Sequence, residues 1–187
     1  MPISLPIDTQ QILLVGGGKV ASRKLKFIVQ YTRNVEIIAE EFCSEIRALI
    51  QQYSLQSYQR SYRLGDLRKY DLVFVATDDI DLQQQIYQES QATATLCNFS
   101  VACCPGIILP AVVRKGSVQI AISTESKAPA LAKALRVYLD KLLPDTLGEI
   151  VEELAIIRKT QEAGEARMSL LQKKVQKFMK QLKGETS

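Results

Sequence analysis

The stretch QILLVGGG (11–18) constrains the fold more than any other part of the chain. It is a short apolar run ending in three consecutive glycines, the pattern of a buried parallel strand that enters a tight turn. From Lys19 to Tyr31 the spacing becomes helical, with Val20, Lys24, Phe27, Ile28 and Tyr31 able to share one face. The same grammar then repeats. VEIIA (35–39) reads as a strand and Phe42 to Tyr53 as a helix. LQSYQ (55–59) and the more apolar DLVFVAT (71–77) read as strands. A helix capped by Asp79 or Asp81 runs to about Gln91, and ATLCNF (94–99) is a fifth strand. Strands alternating with helices over short connections predict an α/β fold built on a doubly wound parallel sheet.

After Pro105-Gly106 the pattern changes. IILPAVVRKGSVQIAIST (107–124) predicts two strands around Arg114-Lys115-Gly116-Ser117, a hairpin. Pro129 opens a helix through ALAKALRVYLDKLL (130–143), which Pro144 stops. The remainder is helical. Met168, Leu171, Val175, Phe178 and Leu182 form one apolar stripe, a face for packing or for a second copy of the chain. The predicted organisation is a Rossmann-like domain over residues 1–112, a hairpin-and-helix module over 113–145, and a helical tail over 146–187.

Composition narrows the chemistry. The 187 residues carry 24 Lys+Arg, 20 Asp+Glu, four cysteines and no histidine. The charges are interspersed and no arginine–aromatic stripe occurs, so no nucleic-acid partner is expected. No apolar run is long enough for a membrane span, and the start lacks a basic segment followed by an apolar one. The expected location is therefore the cytoplasm. Without histidine there is no Ser-His or Cys-His nucleophile pair. Cys43, Cys97, Cys103 and Cys104 lack the paired spacing of a zinc site, so no bound metal is expected. Reduced, buried thiols are the plain reading of these cysteines, with redox or metal chemistry at Cys103-Cys104 the alternative.

Gly16-Gly17-Gly18-Lys19-Val20-Ala21 fits G-x-G-x-x-A in the context that motif requires, directly after a strand and opening a helix. Gly16 permits the turn, Gly18 lets a pyrophosphate approach the helix N-terminus, and Ala21 allows close packing of helix on sheet. Glu40 and Glu41, just after VEIIA, stand where an acid would bind ribose hydroxyls; a solvated first helical turn is the other reading. No arginine cluster for a 2′-phosphate sits there, which favours NAD over NADP. Thr77 and Asp78 close the fourth strand and are positioned to face the cofactor, while Asp79 is better read as a helix cap. Asn98, at the end of the fifth strand, is either a contact on the nicotinamide side or a turn-forming side chain.

Taken together, the chain resembles the dehydrogenase module of siroheme synthases, the precorrin-2 dehydrogenase / sirohydrochlorin ferrochelatase family. The residues that carry the likeness are LPI (5–7), LLVGGGKVASRK (13–24), VFVATDD (73–79), CN (97–98), ILPAVVRKG (108–116), AISTESKAPALAKALR (121–136) and LLPDTLG (142–148). The resemblance implies NAD bound in the Rossmann-like domain, a homodimer formed through the hairpin and helix, and a tetrapyrrole substrate. It implies oxidation of precorrin-2 to sirohydrochlorin, with iron insertion in some members. Lys19, Val20, Glu40 and Glu41 match positions at which the family contacts NAD.

Two departures qualify this. Where the family carries Asn-x-x-Asp, the chain reads Asn98-Phe99-Ser100-Val101, and a valine neither accepts a proton nor ligates iron. The family's Ser-Ser-Gly-Gly turn reads Ser123-Thr124-Glu125-Ser126, which keeps a hydroxyl at Thr124 and adds a negative charge at Glu125. The expectation is dehydrogenase activity with Thr124 and Asp78 as catalytic residues, and chelatase activity weak or absent. Arg114, Lys115 and Lys127 are candidates to meet substrate carboxylates. The rival reading is a carrier or sensor of the same fold that binds a tetrapyrrole or NAD without turnover, with thiolates from Cys97, Cys103 or Cys104 available to a haem-type iron.

Overall fold

The structure, a computed structural model, describes residues 5–100 and 104–183. It divides into two compact units, Met1–Ile108 and Leu109–Ser187.

The first unit is a five-stranded parallel sheet with helices on both faces. Its strands are β1 (Ile12–Val15), β2 (Val35–Ala39), β3 (Gln56–Gln59), β4 (Leu72–Val75) and β5 (Leu96–Asn98), in the order β3-β2-β1-β4-β5. All four strand pairs are parallel, as the alternation of strands and helices predicts. β1 and β4 are buried at every position, which is why they read as continuous apolar runs rather than alternating ones. One face of the sheet carries α1 (Lys19–Ile28) and α2 (Ser44–Tyr53), packed through Leu25, Ile28, Ile46 and Leu49 onto Ile12, Leu14, Ile37 and Phe74. The other carries α3 (Ile80–Thr93), whose Ile86 packs with Leu13, Val15, Val73 and Val75. Along the chain the strands move outward from β1 to β3 and then cross to β4 on the other side of β1. The order reverses between β1 and β4, and that is where an open α/β sheet offers a crevice.

Local chemistry explains the start of α3. Asp79 caps α3, its carboxylate accepting from the Leu82 N–H at 3.0 Å. The residues read as sharing one face of α1 are not the set that it buries. Ala21, Ser22, Leu25 and Ile28 point inward, Val20 is exposed, and Lys24 lies at the edge of the sheet-facing side. The spacing identified a helix, but the direction in which the glycine turn feeds it onto the sheet set its rotation. Two short 3-10 turns, Ile7–Thr9 and Asp66–Lys69, were not anticipated.

The second unit opens with an antiparallel hairpin, β6 (Ala111–Lys115) and β7 (Val118–Ile122). Helices α4 (Pro129–Leu142), α5 (Thr146–Thr160) and α6 (Glu165–Leu182) follow, with Pro129 at the start of α4 as expected. The hairpin turn packs onto the start of α5 through two glycines: a Cβ on Gly148 would lie 2.9 Å from the Gly116 Cα. Gly116 itself has φ +57°, a conformation side chains disfavour. Of the apolar stripe on α6, Leu171 is buried and Phe178 half-buried, while Met168, Val175 and Leu182 remain exposed.

Candidate dinucleotide site

The glycine turn sits at the point where the strand order reverses. Gly16, buried and at φ +126°, is wedged against the chain just after β4: a Cβ there would fall 2.2 Å from the Ala76 carbonyl oxygen. Its N–H donates to the Ile38 carbonyl on β2 at 2.9 Å. Gly17 is closer still to the chain after β2, where a Cβ would lie 1.7 Å from the Glu41 carbonyl oxygen. The Gly17 carbonyl accepts from the Cys43 N–H at 2.8 Å. Gly18 is different. It has ordinary φ, and a Cβ there would meet nothing within 4 Å. Two glycines are thus demanded by backbone packing, and the third leaves open space at the start of α1.

That start is prepared for an anion. Gly18 caps α1 without a side-chain hydrogen bond, and the first turn holds no acidic residue. The leading N–H groups of the helix therefore keep their donors and their partial positive charge. Lys19 and Val20 are exposed beside them. This set of residues fits a dinucleotide's diphosphate, which needs backbone donors and close approach.

The carboxyl ends of the neighbouring strands supply the rest. Glu40, exposed after β2, accepts from the Ser61 hydroxyl at 2.5 Å, and Glu41 is exposed next to it. Ser61 lies just past β3 and carried no signal in the sequence. At the end of β4, Thr77 is half-buried: its hydroxyl accepts from the Asp79 N–H at 3.2 Å. Its carbonyl accepts from the fully buried Gln83 amide at 2.7 Å. Asp78 is exposed.

Asn98, at the end of β5, is buried and held at both ends. Its Oδ1 accepts from the Lys24 ammonium, and its Nδ2 donates to the Ile107 carbonyl at 2.7 Å. Burial lowers the Lys24 pKa to about 8. The segment beyond is laid directly on β5: the Ile107 N–H donates to the Cys97 carbonyl at 2.8 Å, and a Cβ on Gly106 would fall 2.3 Å from that same oxygen. Neither Lys24 nor Gly106 was read from the sequence as a site residue, because their partners here lie in chain segments distant along the backbone or depend on the tertiary path.

The remaining candidates are dispersed. Cys97 is buried, and burial pushes its thiol up to about 11, the wrong direction for a thiolate ligand at neutral pH. Cys104 is also buried. Val101 and Cys103 lie outside the described residues. In the second unit the Thr124 hydroxyl accepts from the Ala128 N–H at 3.2 Å, ahead of α4. Glu125 and Ser126, both at positive φ, follow it, and Glu125 pairs with Lys127 at 2.6 Å. Lys115 is not an open cation: it is held by Asp145 at 2.9 Å and Asp140 at 3.5 Å, and the Asp145 bond raises its pKa. No helix among the described residues is long and apolar enough to cross a membrane.

A parallel sheet with a glycine turn at its switch point and an uncapped helix start defines a dinucleotide-binding α/β domain. Residues 3–102 match the family described as "Putative NAD(P)-binding", and the chain belongs to that family. Curated relatives include the siroheme synthase of Photorhabdus laumondii, 34% identical over 155 residues that make up 81% of this chain and 33% of that protein. The siroheme synthase of Nitrosococcus oceani is 35% identical over 153 residues, 80% of this chain and 32% of that one. The chain spans about a third of the length of these relatives. Among solved structures, "SirC, precorrin-2 dehydrogenase" has the same fold, with a TM-score of 0.77 and 21% identity over 98% of this chain and 99% of that one.

Proposed function

We propose that this chain is an NAD-dependent dehydrogenase that oxidises precorrin-2 to sirohydrochlorin. The observation that carries the reading is the open cradle over Gly18 at an uncapped helix start, in a chain similar to siroheme synthases along four-fifths of its length. When bound, the oxidised nicotinamide ring supplies a hydride acceptor, and the protein's work is positioning and proton handling.

In this reading Gly16, Gly17, Gly18, Lys19 and Val20 hold the diphosphate. Glu40, oriented by Ser61, and Glu41 receive the ribose hydroxyls, and two carboxylates there favour NAD over NADP. Thr77 stands at the carboxyl end of β4, and Asn98, with both ends of its amide held inside the protein, shapes the carboxyl end of β5. The oxidation removes two hydrogens from the substrate, one as hydride and one as a proton. Asp78, exposed at the end of β4, takes the proton, and Thr124 is the second catalytic residue of the proposal, through its hydroxyl. Because Val101 stands where the family carries an aspartate, iron insertion falls to another protein.

A homodimer through the second unit belongs to the same proposal. Its support is the exposed apolar run on α4, where Leu131, Leu135, Val137, Tyr138 and Leu142 face solvent. The proposed location is the cytoplasm.

Anaerobic incubation of the purified protein with precorrin-2 and NAD⁺ tests the reading. Sirohydrochlorin should appear faster than in a protein-free control, and ferrous iron added to the same cuvette should not be inserted faster than without protein. Absence of turnover would overturn the dehydrogenase, and rapid iron insertion would overturn the assignment of chelation elsewhere.

A further inference from the structure

Lys24 is a half-buried lysine that the mechanism above does not use. It projects from the second turn of α1 toward the sheet, with its ammonium 5.7 Å from the centroid of the Phe74 ring on β4. Among the described residues it forms no ion pair, and its polar partner is the Asn98 carbonyl oxygen Oδ1. A lysine in this position is expensive, since burial disfavours its charge without a carboxylate to offset the loss. Packing alone would be served better by leucine or methionine.

The reason for a lysine lies in the direction of its hydrogen bond. An ammonium donates and never accepts, whereas an asparagine amide has one accepting and one donating end. Lys24 therefore dictates that Oδ1 of Asn98 faces α1, so that Nδ2 faces the Ile107 carbonyl, to which it donates at 2.7 Å. The opposite orientation would set two acceptors against each other at Ile107. Ile107 is tied to β5 a second time through its N–H to Cys97, and the tight approach of Gly106 leaves the segment no slack there. One donor-only group thus fixes the polarity of a buried amide, and the amide fixes the chain that lies over the end of β5.

We propose that Lys24 is a positioning residue for the nicotinamide end of the dinucleotide site, acting through Asn98 and the segment 104–107. The proposal rests on the dinucleotide-binding reading of Asn98, and not on which substrate is oxidised.

The test compares the full chain with Lys24→Met and Lys24→Arg. Without nucleotide, amide hydrogen exchange at Ile107 should quicken about tenfold in Lys24→Met, because the Asn98 amide loses the bond that orients it. Lys24→Arg, still a pure donor, should restore slow exchange. In titrations, NADH should bind Lys24→Met about tenfold more weakly. ADP-ribose, which lacks the nicotinamide ring, should bind all three proteins equally. Unchanged exchange at Ile107, or an equal loss for NADH and ADP-ribose, would overturn the proposal. Should Lys24→Met not fold, Lys24→Gln, which keeps an N–H donor, is measured in its place and should fall between methionine and arginine. Binding differences of this kind in a protein that never oxidises precorrin-2 would remove the substrate and leave the role of Lys24. Turnover with no difference between the variants would do the reverse.

Discussion

Replacing Gly17 and Gly18 by alanine, one at a time, separates what the glycine turn does for the fold from what it does for the nucleotide. At Gly17 the new Cβ would stand 1.7 Å from the Glu41 carbonyl oxygen and 3.0 Å from the Ala39 Cβ. The first of these is backbone, so the connection after β2 must move, and with it the bond from Cys43 N–H to the Gly17 carbonyl. Overpacking of this kind costs about 1–3 kcal/mol and the lost hydrogen bond about 1 kcal/mol, together roughly 2–4 kcal/mol. For a chain of this size that is a fall in melting temperature of roughly 5–15 °C. At Gly18 the Cβ meets nothing within 4 Å, and φ is −90°, which alanine adopts freely. Alanine is a poorer helix cap than glycine by up to about 1 kcal/mol, but it reduces unfolded-state entropy by about 0.4–1 kcal/mol. The two effects nearly cancel, so Gly18→Ala should melt within a degree or two of the parent. Its methyl group would occupy the space a diphosphate needs, and NADH titrated by fluorescence should bind at least tenfold more weakly. Wild-type affinity in Gly18→Ala would refute the cradle, and a wild-type melting temperature in Gly17→Ala would refute the packing argument.

Three further outcomes follow from the geometry. Glu40→Gln should reduce the preference for NADH over NADPH about tenfold, since it removes a charged acceptor for ribose hydroxyls; an unchanged ratio in paired titrations would assign the ribose elsewhere. Stability should also vary with pH in a stated direction. Lys24 has a pKa of about 8 in the fold against 10.5 in the open chain, so the unfolded state binds more protons between those values and stability rises with pH from 8. Lys24 is partly solvated, so the gain is discounted to about 1 kcal/mol. Above pH 9 the buried Cys97, raised from 9.0 to about 11, acts with the opposite sign. Denaturant midpoints from pH 7 to 9 should therefore climb in the parent and stay flat in Lys24→Met. In the second unit, Gly148→Ala should lower stability by about 1–3 kcal/mol, because its Cβ presses on the Gly116 Cα at 2.9 Å; a melting curve identical to the parent would show that the hairpin can yield.

Much of the first unit was legible along the chain, for a reason particular to parallel sheets. Strands buried on both faces must be apolar throughout, so ILLV and LVFV announce themselves, and VEIIA matches β2 residue for residue. The glycine turn and the Asp79 cap are also local devices, readable because their residue types suit a few backbone angles or a helix start. The Glu125-Ser126 turn shows the opposite case, two non-glycine residues at positive φ that no propensity would have suggested.

What the sequence by itself determined, then, is the alternation of strands and helices, the switch from parallel sheet to hairpin after Pro105-Gly106, and the glycine turn that opens α1. These follow from interactions within a few residues of each other. Tertiary structure alone decided which face of α1 points inward, why Gly16 and Gly17 cannot bear a side chain, and that Lys24 would meet Asn98 across 74 positions of chain. Such contacts depend on how the sheet brings distant strand ends together, and a side chain's neighbours across that distance leave no periodicity to read.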